Sequence, residues 1–339
     1  MEKKRILTGD RPTGPLHLGH YVGSVANRVK LQDEYDSFII MADVQMLTTH
    51  FDHPERLHDD VLNVAMDNLA CGLDPAKATL FIQSMVPQIA ELTVIYSNLV
   101  TVQQLSHNPT IKTEAAQYNF GESMPLGFLS YPVSQAADIT FCRASLVPVG
   151  EDQLPHIEQT RKIVRKFNAT YAPVLVEPDA KVSEVPRLVG LDGNTKMSKS
   201  LGNAIFLSDP PDEVKRKVST ALTDPARIHP TDKGHPEVCV VYAYHKVFNP
   251  EGRSEIEERC KAGTIGCVPC KKLLIDVLNR FLAPIRERRA VYEKNPDSVW
   301  DILSKGTARA CEEGAATMAL VREAMKINYF PPRGNGQEV

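Results

Sequence analysis

The sequence predicts an α/β protein: a Rossmann-type parallel sheet with helices on both faces, followed by a C-terminal helical domain. Three observations carry that prediction. Apolar runs of strand length alternate with long amphipathic segments through the first half. A turn rich in glycine and proline follows the first of those runs directly. After about residue 210, strand-like runs become scarce and helical spacing takes over.

The elements follow in order. "RILTG" reads as the first strand, and "LHLGHYVGSVANRVKLQ" spaces its apolar residues as a helix does. "DSFIIMAD" is a continuous apolar run of strand length. A helix from about Pro54 to Cys71 comes next, with its proline near the first turn. "ATLFIQS" is the third strand and "IAELTVIYSNLVTVQQL" the third helix. "LVPVG" fits one more buried strand, before a helix beginning near Asp152. Beyond it, "PDEVKRKVSTAL", "CKKLLIDVLNRFLAPIRERRAVYEK" and "ARACEEGAATMALVREAMKI" are helical. These readings divide the chain into a catalytic domain, 1–205, and a helical domain, 206–339, with "PPRGNGQEV" as a disordered end.

Composition sets the outer bounds. The 339 residues suffice for two domains, and 42% hydrophobic with 24% charged residues is ordinary for a globular protein. A formal charge of −3 argues against a protein that coats nucleic acid, while leaving room for a local basic surface facing a folded RNA. The first residues reach Gly9 and Asp10 before any apolar core of signal-peptide length. No uncharged apolar run approaches the roughly 18 residues of a membrane span. The expectation is a cytoplasmic protein with no membrane partner. Cytosolic thiols are kept reduced, so clustered cysteines there point to metal or redox chemistry.

Two segments carry the chemistry. "TGDRPTGPLHLGHYVG" follows the first strand, where an open parallel sheet binds its ligands. Gly9 and Gly14 let backbone approach a nucleotide, and His17 and His20 share a helical face. Alone, the segment is equally well read as two surface histidines beside a turn. The spacing is not that of a P-loop. About 180 residues on, "NTKMSKSLGN" sets Lys196 and Lys199 three apart between Gly193 and Gly202. A mobile basic loop suits a reaction that builds negative charge on a triphosphate.

Together, "HLGH" and "KMSKS" resemble the paired signatures of class I aminoacyl-tRNA synthetases, over nearly the whole chain. The resemblance implies that His17, Gly19 and His20 bind the phosphates and ribose of ATP. It implies that Lys196 and Lys199 stabilise the transition state of adenylation, with Met197, Ser198 and Ser200 completing the ATP-binding loop. "RPTGPLHLGHYVG", "YPVSQAADI" and "VPVGEDQ" further resemble the tryptophanyl-tRNA synthetases. That narrower likeness gives ATP contacts to Arg11, Pro12 and Thr13, and to Gly150, Glu151 and Asp152. Gln153 then lies near the amino acid, Leu188 presents backbone to adenine, and Lys112 reaches the triphosphate.

Indole offers one hydrogen-bond donor and no acceptor, so a pocket for it needs one buried acceptor and apolar walls. The family implies Asp138 as that acceptor. Tyr131 and Gln135 share its helical stripe, at i, i+4 and i+7. Many relatives carry methionine at the position of Gln135, which either bonds the substrate or lines the pocket. The implied reaction is attack of the tryptophan carboxylate on the α-phosphorus of ATP, with Mg²⁺ travelling on the phosphates. Transfer to the 3′ end of tRNA(Trp) follows, in a homodimer. The rivals are a tyrosine–tRNA ligase and a non-catalytic, synthetase-like regulator that binds tryptophan or RNA.

Cys239, Cys260, Cys267 and Cys270 fall with twenty, six and two residues between successive members. Cys267 and Cys270 enclose a two-residue bridge that can direct both thiolates at one metal, and four thiolates suit zinc or an iron–sulfur cluster. The spacing and "GCVPCKK" resemble a subset of tryptophanyl-tRNA synthetases with a [4Fe-4S] cluster near the anticodon-binding surface. The expectation is therefore such a cluster, with structural Zn²⁺ as the alternative. Cys71, Cys142 and Cys311 read as core residues.

Overall fold

The computed structural model describes residues 3–121, 123–182, 188–193, 197–199 and 201–330, leaving aside the side chain of Asp152. Five parallel strands form one sheet: β1 (Arg5–Asp10), β2 (Asp36–Met41), β3 (Ala78–Ile82), β4 (Leu146–Val149) and β5 (Asp179–Val182). Their spatial order is β3-β2-β1-β4-β5. The first four match the apolar runs of the sequence. The fifth escapes that reading because "DAKV" is largely exposed at the sheet's edge and shows no apolar run. It is fixed by pairing with β4, Leu146 opposite Asp179 through Val149 opposite Val182.

Strand alternation sorts the side chains into two cores. Phe38 and Ile40 of β2 enter one, with Phe81, Phe141 and the helices Pro87–Ser97, Leu126–Thr140 and Leu154–Thr170. Ile39 and Met41 enter the other, with the helix Leu57–Ala70 and the helix Cys267–Lys294. Each fully buried side chain of this size is worth about 1.5–3 kcal/mol. The long third helix expected from the sequence is broken instead. It ends at Ser97, and Thr101 caps a new helix, Val102–Ser106, through a capping box with Gln104.

The helices after residue 206 do not stand apart from the sheet. The last of them, Pro296–Ala324, puts Val299 and Leu303 into one core and Ala310, Met318 and Val321 into the other. It passes between them over β3, where Thr307 Oγ1 accepts the Ile82 N–H at 3.2 Å. Gly306 makes that passage possible, since a Cβ there would lie 1.9 Å from the Leu80 carbonyl oxygen. The helix thereby covers an edge strand that would otherwise offer unpaired backbone groups. The "PPRGNGQEV" tail lies outside the described residues. Among the described residues no helix is long and apolar enough to cross a membrane.

Candidate active site

The strand order reverses between β1 and β4, and a parallel sheet opens a crevice beyond its strand ends at such a point. The two chain segments leaving those ends are 11–17 and Gly150–Gln153, both singled out by sequence. The floor of the first is set by Asp10. Arg28, almost wholly buried, donates to both Asp10 oxygens and, at 2.8 Å, to the Gly9 carbonyl. Burial alone would raise the Asp10 carboxyl, but the Arg28 guanidinium wins and holds it at about 2. Asn68 adds a third donor at 3.2 Å.

Above that floor the turn crosses Pro12, Thr13 and Gly14, whose φ of +107° suits glycine. Arg11 donates to the Thr49 hydroxyl. The helical run then starts at Leu18 with His17 as its cap, and passes through a π-turn over Tyr21–Val25, a distortion frequent at functional sites. The rings of His17 and His20 pack with centroids 3.8 Å apart. The His17 N–H donates to His20 Nδ1 at 3.2 Å. Gly19 is required by this ring contact, because a Cβ there would meet the His17 ring at 2.9–3.0 Å.

The basic loop closes onto the same place. The chain after it pairs with the histidine segment: Leu18 donates to the Ile205 carbonyl and Leu207 to that of Leu16, both at 2.9 Å. Met197, buried, receives the Gly19 N–H on its sulfur at 3.3 Å. Lys199 reaches the Gly14 carbonyl at 2.5 Å and the Thr13 hydroxyl at 3.3 Å. Burial lowers its ammonium to about 8 against the pull of Asp10, Asp60 and Asp67. Asn203 ties the loop's ends, accepting the Ser198 N–H at 2.8 Å and donating to Asp192 at 3.1 Å. Gly193 and Gly202 both have positive φ, 76° and 65°. Lys196 and Ser200 lie outside the described residues.

The second half of the site is the helix Leu126–Thr140, which aligns Tyr131, Gln135 and Asp138 on one stripe. Asp138 is 4% exposed and accepts from Gln83 Nε2 at 2.7 Å. Burial raises its carboxyl to about 7, opposed by hydrogen bonds from Gln83 and Gln45 and aided by the charge of Asp43. Gln83 is itself held by the Gln45 N–H at 3.1 Å. Gln135 is half-buried. The Tyr131 hydroxyl lies 2.8 Å from both Glu114 and His156, and His156 is fully buried. Sequence reasoning missed Gln45, Gln83 and Asp43. Each stands just beyond the end of β2 or β3, and that position was the available signal.

The remaining expected residues come from three other segments of the chain. Gly150 is half-buried, and Glu151 is exposed on a single 3₁₀ turn, Glu151–Gln153, with Gln153 half-buried. The side chain of Asp152 is outside the described residues. Leu188 is buried in the core, while the neighbouring Val189 carbonyl accepts from the Tyr244 hydroxyl at 3.0 Å. Lys112, expected to reach the triphosphate, sits exposed on the helix Pro109–Gln117.

The cysteine expectation is overturned. Cys239, Cys260, Cys267 and Cys270 line one cavity of about 20 Å³ together with Tyr242, Ile256 and Ile265, yet they do not form a ligand set. Among the described residues, no three His, Cys, Asp or Glu side chains are grouped so as to hold a metal ion. Burial pushes the Cys239 and Cys260 thiols up and Cys270 up to about 12. A cation already faces two of the sulfurs: Arg227 Nη1 is 3.8 Å from Cys260 and 4.0 Å from Cys267. These thiols pack as apolar side chains. The residues therefore fit neither the expected [4Fe-4S] cluster nor the Zn²⁺ alternative, and they lend no support to Mg²⁺. Cys71 and Cys142 are core residues as expected, and Cys311 is half-buried against the Met85 carbonyl.

Comparison with known proteins adds to this geometry. Residues 1–283 match the model of the family "tRNA synthetases class I (W and Y)". A tryptophan–tRNA ligase of Streptococcus mutans is 54% identical over 340 residues, covering 97% of this chain and all of that one. The Lactococcus lactis tryptophan–tRNA ligase is 53% identical over the same extent. Among solved structures, the Campylobacter jejuni tryptophanyl-tRNA synthetase complexed with ADP and tryptophan superposes with a TM-score of 0.85 at 31% identity. That match covers 95% of this chain and 99% of that one.

Proposed function

We propose a division of labour among these residues from the premise that the chain belongs to the class I tRNA synthetases of the tryptophan and tyrosine type. Its activity is that of a tryptophan–tRNA ligase, which joins tryptophan, ATP and tRNA(Trp). In the first step a tryptophan carboxylate oxygen attacks the α-phosphorus of ATP. The bond to the bridging oxygen breaks and pyrophosphate leaves with its electron pair. In the second, a hydroxyl of the terminal ribose of tRNA displaces AMP from the adenylate.

The roles follow from the two halves of the site. His17, Gly19 and His20, with the turn of Arg11, Pro12 and Thr13, face the phosphates and ribose; Gly150 and Glu151 stand across the crevice. Lys199, joined by Lys196, neutralises the charge that builds on the leaving pyrophosphate. Asp138 accepts the indole N–H, and Tyr131 and Gln153 orient the amino acid. No side chain need act as nucleophile, so the catalysis is orientation and placed charge.

The observation that supports tryptophan most directly is the buried Asp138 carboxylate. Gln83 donates to its Oδ1 at 2.7 Å, and an ionised carboxylate has acceptor capacity beyond its bonds to glutamine side chains. The helices beyond residue 206 are assigned the anticodon. A homodimer in the cytoplasm is the assembly we propose. Val94, Val102 and Leu126 are 68%, 66% and 76% exposed on the helices after β3, apolar surface that a second copy would cover. The test of specificity is ATP–pyrophosphate exchange with each amino acid. Exchange with tryptophan and not tyrosine is expected, and faster exchange with tyrosine would overturn the assignment of Asp138.

A further inference from the structure

Asp67 is fully buried on the helix Leu57–Ala70 and faces two ways. Its Oδ2 accepts the Leu16 N–H at 2.6 Å, one residue before His17. Its Oδ1 accepts from Arg289, which comes from the long helix Cys267–Lys294. Arg289 is 5% exposed, and its other donors are committed to the same contact. Nη2 reaches the Asn63 side chain at 2.6 Å, Nη1 the Asn63 carbonyl at 3.3 Å, and Nε the Glu293 carboxylate at 2.9 Å. A guanidinium and a carboxylate buried together are costly unless they are well hydrogen-bonded, and here both carboxylate oxygens and all three guanidinium nitrogens are engaged across the join between the two halves of the chain. No part of the adenylation chemistry requires this pair.

We infer that Asp67 and Arg289 form a positioning pair, through which the Cys267–Lys294 helix sets the Leu16–His17 backbone and hence the packed histidines. Leu16 is held from both sides. Its N–H is fixed by Asp67, and its carbonyl receives the Leu207 N–H from the chain that follows the basic loop. A shift in Asp67 therefore moves the start of the histidine helix relative to Lys199. Burial raises the Asp67 carboxyl to about 6, while Arg289 and the Leu16 N–H pull it down. The inference rests on the reading that His17 and His20 face the phosphates of ATP.

Asp67→Asn and Arg289→Lys, alone and combined, are compared with the unaltered full-length protein in ATP–pyrophosphate exchange. Melting temperature and tryptophan affinity, by equilibrium dialysis, are read alongside. Misplacement of a positioned group by about 1 Å costs on the order of 100-fold, so a 10- to 100-fold fall in kcat is expected for each variant. Tryptophan affinity should stay within about twofold, because the Asp138 pocket is untouched. The double variant should be no worse than the weaker single one, since both act through one bond. A lower melting temperature with unchanged kcat would reduce the pair to a structural brace and overturn the inference, as would losses that multiply in the double variant. Should Asp67→Asn not fold, Arg289→Lys decides by the same kcat criterion. His20→Ala separates the two layers. If it is harmless, the histidine reading fails and takes the pair's role with it. If it is crippling while both pair variants are not, only the pair's role fails.

Discussion

Lys199 spends its ammonium on the carbonyl of Gly14, 2.5 Å away, although the two residues lie 185 positions apart. The contact joins the two signature segments that sequence ties to nucleotide chemistry. On the proposed reading, a phosphate oxygen of ATP would compete with that carbonyl for the ammonium.

Lys199→Ala should slow adenylate formation by about 2.7–4 kcal/mol, or roughly 10²–10³-fold in kcat, with tryptophan affinity little changed. The ammonium titrates at about 8 because burial disfavours its charge. The ATP kcat/KM, which reports the free enzyme, should therefore fall as pH rises through about 8. Lys199→Arg should move that limb beyond the measurable range. A pH profile that stays flat to pH 9.5 in the unaltered protein would contradict the role.

Asp138 gives the opposite limb. Its carboxyl is raised to about 7 by burial, so lowering the pH through 7 protonates the acceptor that the indole N–H needs. The tryptophan kcat/KM should fall on the acid side. Stability should run the other way: between pH 4 and 7 the folded protein holds a proton that the unfolded chain has lost, so stability declines as pH rises across that window. Asp138→Asn should weaken tryptophan binding by about 1.5–3 kcal/mol and flatten both dependences. Asp138→Ala should abolish selectivity for tryptophan. Unaltered activation of tryptophan by either variant would refute the pocket.

Gly19→Ala tests whether the histidine ring contact matters. The added methyl would meet the His17 ring at 2.9 Å, and the ring must rotate away from His20. Overpacking of this kind costs about 1–3 kcal/mol. Gly23→Ala lies one turn later with nothing within 4 Å, so it serves as a control that should leave the exchange rate unchanged. Equal losses in both variants would mean that the effect is on the helix and not on the histidines.

The sheet and the nucleotide turn were legible because their signals are local. A buried parallel strand must be an apolar run, and "DSFIIM" and "ATLFI" can hardly be anything else. β5 was not legible, because an exposed edge strand is defined by its partner and not by its own residues. Tyr131 and Asp138 were indicated by the likeness of "YPVSQAADI" to the tryptophanyl-tRNA synthetases, and their shared stripe agrees with it. Gln45 and Gln83 were not, since their function is to hold Asp138 across a contact 55 residues apart or to hold each other. The cysteines mark the limit of spacing as evidence. Spacing brought all four to one cavity, but burial and Arg227 decide their chemistry, and neither is written in the interval between them.

The passage of the last helix over β3 yields a prediction about stability. Gly306→Ala would place a Cβ 1.9 Å from the Leu80 carbonyl oxygen, which is backbone within a paired strand and cannot turn aside. The helix must lift, loosening the Thr307 bond to the Ile82 N–H and the packing of residues on both sides of the sheet edge. A loss of about 3 kcal/mol is expected, at the upper end of the range for overpacking. Gly314→Ala, two turns on, meets only the side chain of Gln88 at 3.1–3.3 Å, and a flexible glutamine can move. It should cost under about 1 kcal/mol, offset in part by the better helix propensity of alanine. Thermal unfolding of the two variants side by side is the measurement. If Gly306→Ala melts no lower than Gly314→Ala, the helix does not rest on β3 as closely as described.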